Sequence, residues 1–381
     1  MHGKQSFTAE MLSEGEPREL IRETFNVLNQ PLKNLSVSQH IPEDLTDTLS
    51  KNVFYFSGFK TYHELNEASK RLIDDNGGIK SFEKFAEDIK AINNTYNRNY
   101  LAAEYEFASG SSQMAVKWKE IEKDGDRYDL QYRTANDGLV RPEHAALHGI
   151  TLPPSDKFWE KYYPPNGWRC RCAAIQVRKG KYPVSDSATA CDAGNKATTH
   201  IGKDGTNKGV IFRFNPGKQE KIFPPKHPYY KVPEKTAKEV ESVVDTLVKK
   251  NNVSLERKRL SSSNEMPTAK NHTEQPNLTT NAILKSGKVL ERFLSHCKSI
   301  EELDAAKYIW NNPGDMVFVR HSPFGEGKDL TSTKDLKNLA KKQKRGVVGY
   351  NVYEFSYNGQ TWKLKLEVHK KGFEQFYTMC K

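Results

Sequence analysis

The sequence lacks most of the features that place a chain quickly. No apolar run in its 381 residues approaches the ~18 residues that a membrane-spanning helix needs, which excludes a helical span. Cysteine is scarce, and its count of five is odd, which rules out a disulfide scaffold and suits a reducing compartment. There is no Walker loop, no Gly-x-Gly-x-x-Gly and no nucleophile elbow, so nucleoside-triphosphate and dinucleotide chemistry are disfavoured. The opening MHGKQSFTAEMLSEGEP lacks the basic-then-apolar layout of a secretion signal, and the expectation is a chain not exported by one. Internal repeats are absent too. Hydrophobic residues make up only 36%, but 10% aromatics are too many for a disordered chain. At ~100–200 residues per domain the length calls for two or three units.

Charge is present and uneven. The chain carries 59 Lys+Arg against 48 Asp+Glu, a net charge of +11. Residues 281–381 hold 18 Lys+Arg and 11 Asp+Glu, so a quarter of the chain holds +7 of that surplus. A basic surface attracts polyanions, which makes DNA or RNA the first partner to consider.

Composition divides the chain into four stretches: 1–115, 116–235, 236–280 and 281–381. In the first, Glu16–Leu28 and Tyr62–Asp75 have apolar residues at helical spacing, with Asn76-Gly77-Gly78 as a stop. A third helix is expected from about Ser81, in capping position, to Phe107. The second stretch is too rich in proline for regular helix and reads as an irregular Pro/Cys-rich module with short strands. Within it, Asn215-Pro216-Gly217 reads as a turn between strands. The third reads as a charged helix over Lys235–Lys250 followed by a flexible linker almost free of aromatics. The last reads as a separate domain, with helices over Val289–Cys297 and Ile300–Trp310, a strand over Met316–Arg320 and a basic helix over Leu330–Lys344. A hairpin follows, Tyr350–Tyr357 and Thr361–His369, joined at Asn358-Gly359, and after Gly372 a final strand, Phe373–Met379. Its register sets Phe355 opposite Trp362, Tyr353 opposite Leu364 and Glu354 opposite Lys363. The predicted class is α+β, with a helical N-terminal region and a C-terminal antiparallel sheet.

Residues 132–172 are the most specific part: YRTANDGLVRPEHAALHGITLPPSDKFWEKYYPPNGWRCRC. They hold Asp137, Arg141-x-x-His144, Gly149, Phe158-Trp159, Pro164-Pro165 and Cys170-Arg171-Cys172. Thiolates and imidazoles suit Zn²⁺, so Cys170, Cys172 and His144 form a candidate structural metal site, with His148, four residues on, or Asp137 as fourth ligand. The alternative is a buried hydrogen-bond cluster of Arg141 and His144 with the cysteines as packed thiols. This run resembles the phage Mu F-like head-morphogenesis family, the minor head proteins of tailed phages. The order of an Asp, Arg-x-x-His, Gly, aromatic pair, Pro-Pro-x-Gly and Cys-Arg-Cys is the family's. Asn136-Asp137-Gly138 and the extra His148 depart from it. SGFKTYHEL at 57–65, NTYNRNYLAAEYEF at 94–107 and FNPG…FPPKHPY at 214–229 extend the resemblance to about residues 15–230. It implies a structural part in procapsid assembly and DNA packaging near the portal, in the virion head or the host cytoplasm. Portal and capsid proteins would be its partners, and Arg169, Arg171 and Arg178 either contact surfaces or a solvated face.

Helices followed by an antiparallel sheet also give residues 281–381 a resemblance to the barnase/EndoU/colicin/RelE-like nucleases attached to phage head proteins. That implies metal-independent ribonuclease activity and an immunity protein as partner. Such cleavage needs a base, an acid and cations for the phosphorane charge. The candidates are His321, Arg320, Lys365 and His369, with Glu374 expected opposite His369. The alternatives are a solvated charged face, or a basic domain that binds nucleic acid without cleaving it.

Overall fold

A computed structural model of the chain describes residues 7–39, 41–263, 265–266, 282–323, 333–371 and 373–381. It divides into two units, Met1–Asp245 and Thr246–Lys381. The first opens with α1 (Gly15–Leu28), α2 (Gln30–Ser38), α3 (Glu43–Lys70), α4 (Phe82–Asn94) and α5 (Leu101–Asp124). α3 takes in most of the helix expected over Tyr62–Asp75 and stops at Lys70. The Asp74 carboxylate then accepts from the Asn76 and Gly78 amides, both at 2.9 Å, and closes the turn. Ser81 caps α4 through the Lys84 amide. The single helix expected from Ser81 to Phe107 is two helices joined by a π-helical turn, Thr95–Tyr100, and α5 continues past residue 115 to Asp124. In that turn the Tyr96 carbonyl accepts from the buried Lys60 Nζ at 2.6 Å, a side-chain donor inserted into the helix ladder.

The rest of this unit is built on aromatics. β1 (Tyr128–Arg133), α6 (Pro142–Ala145), β2 (Thr151–Leu152), α7 (Phe158–Tyr162), β3 (Ala173–Arg178) and α8 (Ser187–Ala197) follow, the strands forming an antiparallel sheet in the order β2-β1-β3. Trp118, Tyr132, Phe158, Trp159, Tyr162 and Tyr163 form its core. Asn215 makes the expected turn, its Oδ1 accepting from the Gly217 and Lys218 amides. The strands expected beside it do not form; the flanking segments are 3-10 turns, Lys208–Phe212 and Pro228–Tyr230. Pro216, Pro224, Pro225 and Pro228 remove ladder donors. Aromatic stacking holds this exit segment instead, with Phe223 on Phe56 at 3.6 Å between centroids.

Helix α9 (Glu234–Ser262) runs twelve residues past the expected Lys250 and occupies the first part of the stretch read as a flexible linker. Residues 267–281 of that stretch lie outside the described residues. In the second unit come β4 (Ala282–Ile283), α10 (Gly287–His296), α11 (Ile300–Asn311), β5 (Val317–Pro323), α12 (Thr333–Lys344), β6 (Val347–Tyr357), β7 (Gln360–His369) and β8 (Phe373–Cys380). Ser299 caps α11 through the Glu302 amide. Residues 330–332 of the expected basic helix, and the expected turn at Gly372, lie outside the described residues. The sheet order is β4-β8-β7-β6-β5, antiparallel except for the short β4 beside β8. The hairpin pairs Phe355 with Trp362, Tyr353 with Leu364 and Glu354 with Lys363, as the alternation predicts. Asn358 and Gly359 both have positive φ, 49° and 72°, the type I′ geometry. Phe293, Trp310, Tyr353, Trp362, Leu364 and Phe376 fill the core. The fold is α+β.

Candidate metal centre

The Arg141-x-x-His144 motif starts a single helical turn. Pro142 at its first position fixes φ and needs no donor, and α6 ends at Ala145. Its shortness matters. His148 was expected on the same helix face as His144, but it lies beyond α6, where its Nδ1 accepts from the Thr134 amide at 3.3 Å and meets Thr134 Oγ1 at 2.8 Å. Gly149 then turns with φ of 87° and its amide returns to the Tyr132 carbonyl. His144 is turned inward and buried, with Cys170 and Cys172 half-buried beside it. Arg141 reaches over the loop to the Trp168 carbonyl. Asp137 does not join them either: it holds Arg171 in a two-pronged exposed pair, at 2.6 and 2.8 Å. Arg171 holds its carboxyl below the ordinary carboxylate value. Arg169 lies 4.0 Å from Glu106. Trp159 and Pro165 are buried structural members; Trp159 also accepts, at its carbonyl, from Asn215 Nδ2.

His144 Nδ1 is 3.6 Å from Cys170 Sγ and 3.8 Å from Cys172 Sγ, and the three donor atoms lie within 4.8 Å of one another. Zn–S bonds of about 2.3 Å and a Zn–N bond of about 2.0–2.1 Å at a tetrahedral angle require a sulfur–nitrogen separation of about 3.6 Å. The two sulfur–nitrogen separations therefore have the length of tetrahedral edges. Electrostatics point the same way. The Cys172 thiol and His144 hold the Cys170 thiol well below its ordinary range, while the same contact with Cys170, together with burial, pushes the Cys172 thiol up. One thiolate forms readily; a second beside it needs a cation. Among the described residues no further His, Cys, Asp or Glu joins the group, so three protein donors could hold a metal with a fourth position left over. Sequence reasoning missed the support beneath it. Tyr132 is fully buried, donates to Asn166 Oδ1 at 2.9 Å and sits against both cysteines; only its aromatic place in a strand hinted at that.

Every residue of this centre lies in a stretch, residues 76–175, that matches the family described as Phage Mu protein F like protein. This segment is similar to the Mu F-like family. The chain is 40% identical over 119 residues to the protein named capsid assembly protein F of Escherichia phage Mu, a match covering 30% of this chain and 26% of that protein. It is 33% identical over 97 residues to the Mu-like prophage FluMu F protein of Haemophilus influenzae, covering 21% and 23%. The matches thus span about a quarter of the length of these relatives. No solved structure matches significantly.

Outside the Mu F-like segment, the residues read as catalytic divide into separate groups. His321 pairs with Asn351 across the β5–β6 ladder, with Nδ1 2.7 Å from Asn351 Oδ1. Asn351 Nδ2 donates to Glu374, and the Tyr353 hydroxyl donates to the same buried carboxylate at 2.8 Å. His321 and Glu374 are therefore joined through an amide. His369 is not part of that network. The register pairs Glu374 with Val368, and alternation puts His369 on the other face, away from Glu374. There His369 Nε2 accepts from Gln375 Nε2 at 2.7 Å, the ring stacks on Phe373 at 4.4 Å, and burial lowers its pKa. Lys365 and Arg320 are exposed. The carboxylate near His369 is the wholly buried Glu367, which the sequence alone did not single out.

Proposed function

We propose that this chain is a phage or prophage minor head protein, acting in capsid assembly and DNA packaging near the portal, in the virion head or the host cytoplasm. The observation that carries the reading is the 40% identity over 119 residues to a protein named for capsid assembly. In this reading one structural zinc joins His144, Cys170 and Cys172, fastening the proline-rich loop to α6. The zinc has no chemical step to perform; when bound it crosslinks a segment that lacks regular hydrogen bonding. The loop, with Trp168 held by Arg141, then offers portal and capsid proteins a fixed surface. Deleting the gene from a phage that carries it should leave heads unassembled or empty of DNA. Normal yields of filled, infectious heads would refute the role.

A second reading concerns residues 281–381, whose net charge of +7 and His321–Asn351–Glu374 network favour nucleic acid as partner. The basic unit binds RNA or DNA, and as a ribonuclease-type effector it would use His321. Asn351 Oδ1 accepts the Nδ1 proton, which leaves Nε2 to take the proton of a ribose 2′-OH as that oxygen attacks phosphorus. The bond to the 5′-oxygen breaks, and that oxygen takes a proton from water. Arg320, the preceding residue of β5, projects to the other face by strand alternation, and an immunity protein would cover the His321 side before assembly. Full-length chain incubated with tRNA tests this: fragments that vanish in His321→Ala favour cleavage, while intact RNA leaves binding alone.

A further inference from the structure

We propose that Arg292, Lys342 and Arg345, set around Tyr350 and Tyr377, form a binding site for a backbone phosphate of nucleic acid. The proposal rests on the reading of the C-terminal unit as a nucleic-acid partner and names the place where contact is made. These residues come from four places in the sequence: α10, the end of α12, and the two strands β6 and β8.

The case is one of charge balance. Glu367 is the only carboxylate within reach of the group among the described residues, and it is fully buried. It accepts two bonds from Arg345, at 2.9 and 3.0 Å, and one from Gln375 at 2.8 Å, and lies 3.2 Å from Arg292 Nη2. Its acceptor capacity is taken. Three cations against one carboxylate leave a surplus of two. Among the described residues Lys342 has only neutral partners: its Nζ donates to Tyr350 and, at 3.1 Å, to Tyr377, and stands 5.0 and 4.4 Å from the centroids of those rings. Arg292 lies 5.7 Å from the Tyr377 ring; its Nη2 is ion-paired with Glu367, and its buried Nε has no hydrogen-bond partner among the described residues.

Half-buried cations without a counterion are costly, and ring faces offset only part of that cost. An anion with several acceptor oxygens would meet the exposed edges of the two guanidiniums and the ammonium together, which is the geometry a phosphate offers and a single carboxylate does not. The side chains are within reach of solvent, Arg345 being 43% and Arg292 24% exposed. Exposed Lys341 and Lys344 on the same helix end continue the positive surface, as a ligand of repeating charge requires. His369 fits this arrangement as a support. Its contact with Gln375, which also holds Glu367, makes it a brace under the cations, not a group presented to solvent.

The test is fluorescence anisotropy of the full chain with three labelled 12-nucleotide probes: single-stranded RNA, single-stranded DNA and duplex DNA. Lys342→Gln and Arg292→Gln should each weaken binding about tenfold and reduce the salt slope by about 0.7–0.9. Lys298→Gln, an exposed lysine elsewhere in the unit, should change affinity less than about twofold. Arg292→Lys and Lys342→Arg keep the charge and should recover most of the binding, which separates loss of contact from loss of fold. Preference for one probe names the nucleic acid bound. If wild-type chain binds none of the probes, the nucleic-acid reading of the unit fails and this site with it. If wild type binds and both Gln variants bind equally well, that reading stands and this site is wrong.

Discussion

The buried Lys60–Glu104 pair sets a measurable limit on how the first unit is stabilised. Both residues are almost wholly buried, and Lys60 Nζ donates to Glu104 Oε2 at 2.5 Å and to the π-turn carbonyl of Tyr96. Tyr229 donates to the other Glu104 oxygen at 3.2 Å, which fastens the exit segment to the same charge. Burial lowers the Lys60 pKa and raises that of Glu104, in each case against the attraction of the partner. Desolvation therefore outweighs the pairing, and the pair adds little net stability over a well-packed apolar one. Breaking it is another matter. Glu104→Gln strands an ammonium in the core, for which about 3–5 kcal/mol is the expected loss. Glu64, the next carboxylate, brings the figure to the low end, because burial pushes its pKa up to about 7 and it is part-ionised at neutral pH. A loss of about 3 kcal/mol corresponds to about 6–12 °C in the melting temperature of a unit this size.

The cycle has a pH signature as well. In the wild type, Glu64 keeps a proton between its ordinary 4.5 and about 7 that the unfolded chain has released, so this group's contribution to stability falls as pH rises through that window. In Glu104→Gln the same ionisation supplies a counterion to Lys60, so the penalty should shrink as pH rises from 6 to 8. Calorimetry on the full chain and on Glu104→Gln, Lys60→Met and the double variant Lys60→Met/Glu104→Leu decides it. The double variant should cost less than Glu104→Gln alone. A Glu104→Gln shift under about 2 °C, or a double variant that is the worst of the set, would refute the reasoning.

Other expectations are simpler. Purified chain should carry about one zinc by mass spectrometry, and Cys170→Ser/Cys172→Ser should carry none. Chelation should lower the melting temperature of the wild type by several degrees, since ligand present at about 100 times its Kd adds about 2.7 kcal/mol; a folded, zinc-free wild type indifferent to chelator sinks the metal. At Gly217 a Cβ would stand 2.1 Å from Trp118 Cβ, so Gly217→Ala must displace backbone or indole. Its cost should reach at least the ~1–3 kcal/mol of overpacking, read from the midpoint of urea unfolding. In the His321 reading, Asn351→Ala should slow RNA cleavage while leaving RNA affinity within about twofold, because it removes the group that orients the ring and no charge; equal loss of both would point to a damaged sheet.

What the sequence could and could not disclose follows from the range of the interactions. The hairpin at Asn358-Gly359 was legible to the residue pair, because its turn chemistry and the period-two alternation are local and agree. The metal centre was legible as a residue set, since His144, Cys170 and Cys172 belong to one ordered motif. No fourth ligand joins them among the described residues. The i,i+4 inference for His148 assumed a helix long enough to carry it, and Pro142 with Gly149 confines α6 to one turn. The strands expected around Asn215 failed for a similar reason: the turn signal is local, but pairing was replaced by aromatic packing against Phe56 and Phe107 from far upstream.

The C-terminal assignment separated along the same line. His321 and Glu374 were chosen for residue type, and the sheet joins them through Asn351, an amide 30 positions from the one and 23 from the other. Glu374 and His369 were set opposite each other by counting back from the turn, and the register differs by a single position. One residue of slip in a strand exchanges faces, so it sends Glu374 to Asn351 and Tyr353 and sends His369 to Gln375 and Glu367. The consequence is functional. A histidine with Gln375 on its Nε2 and Phe373 against its ring is held in place, whereas His321 is exposed and contacts Asn351 through Nδ1. If this unit does chemistry, the proton passes through the β5–β6 side of the sheet, and the cations around Tyr377 serve to hold the strand that is cut.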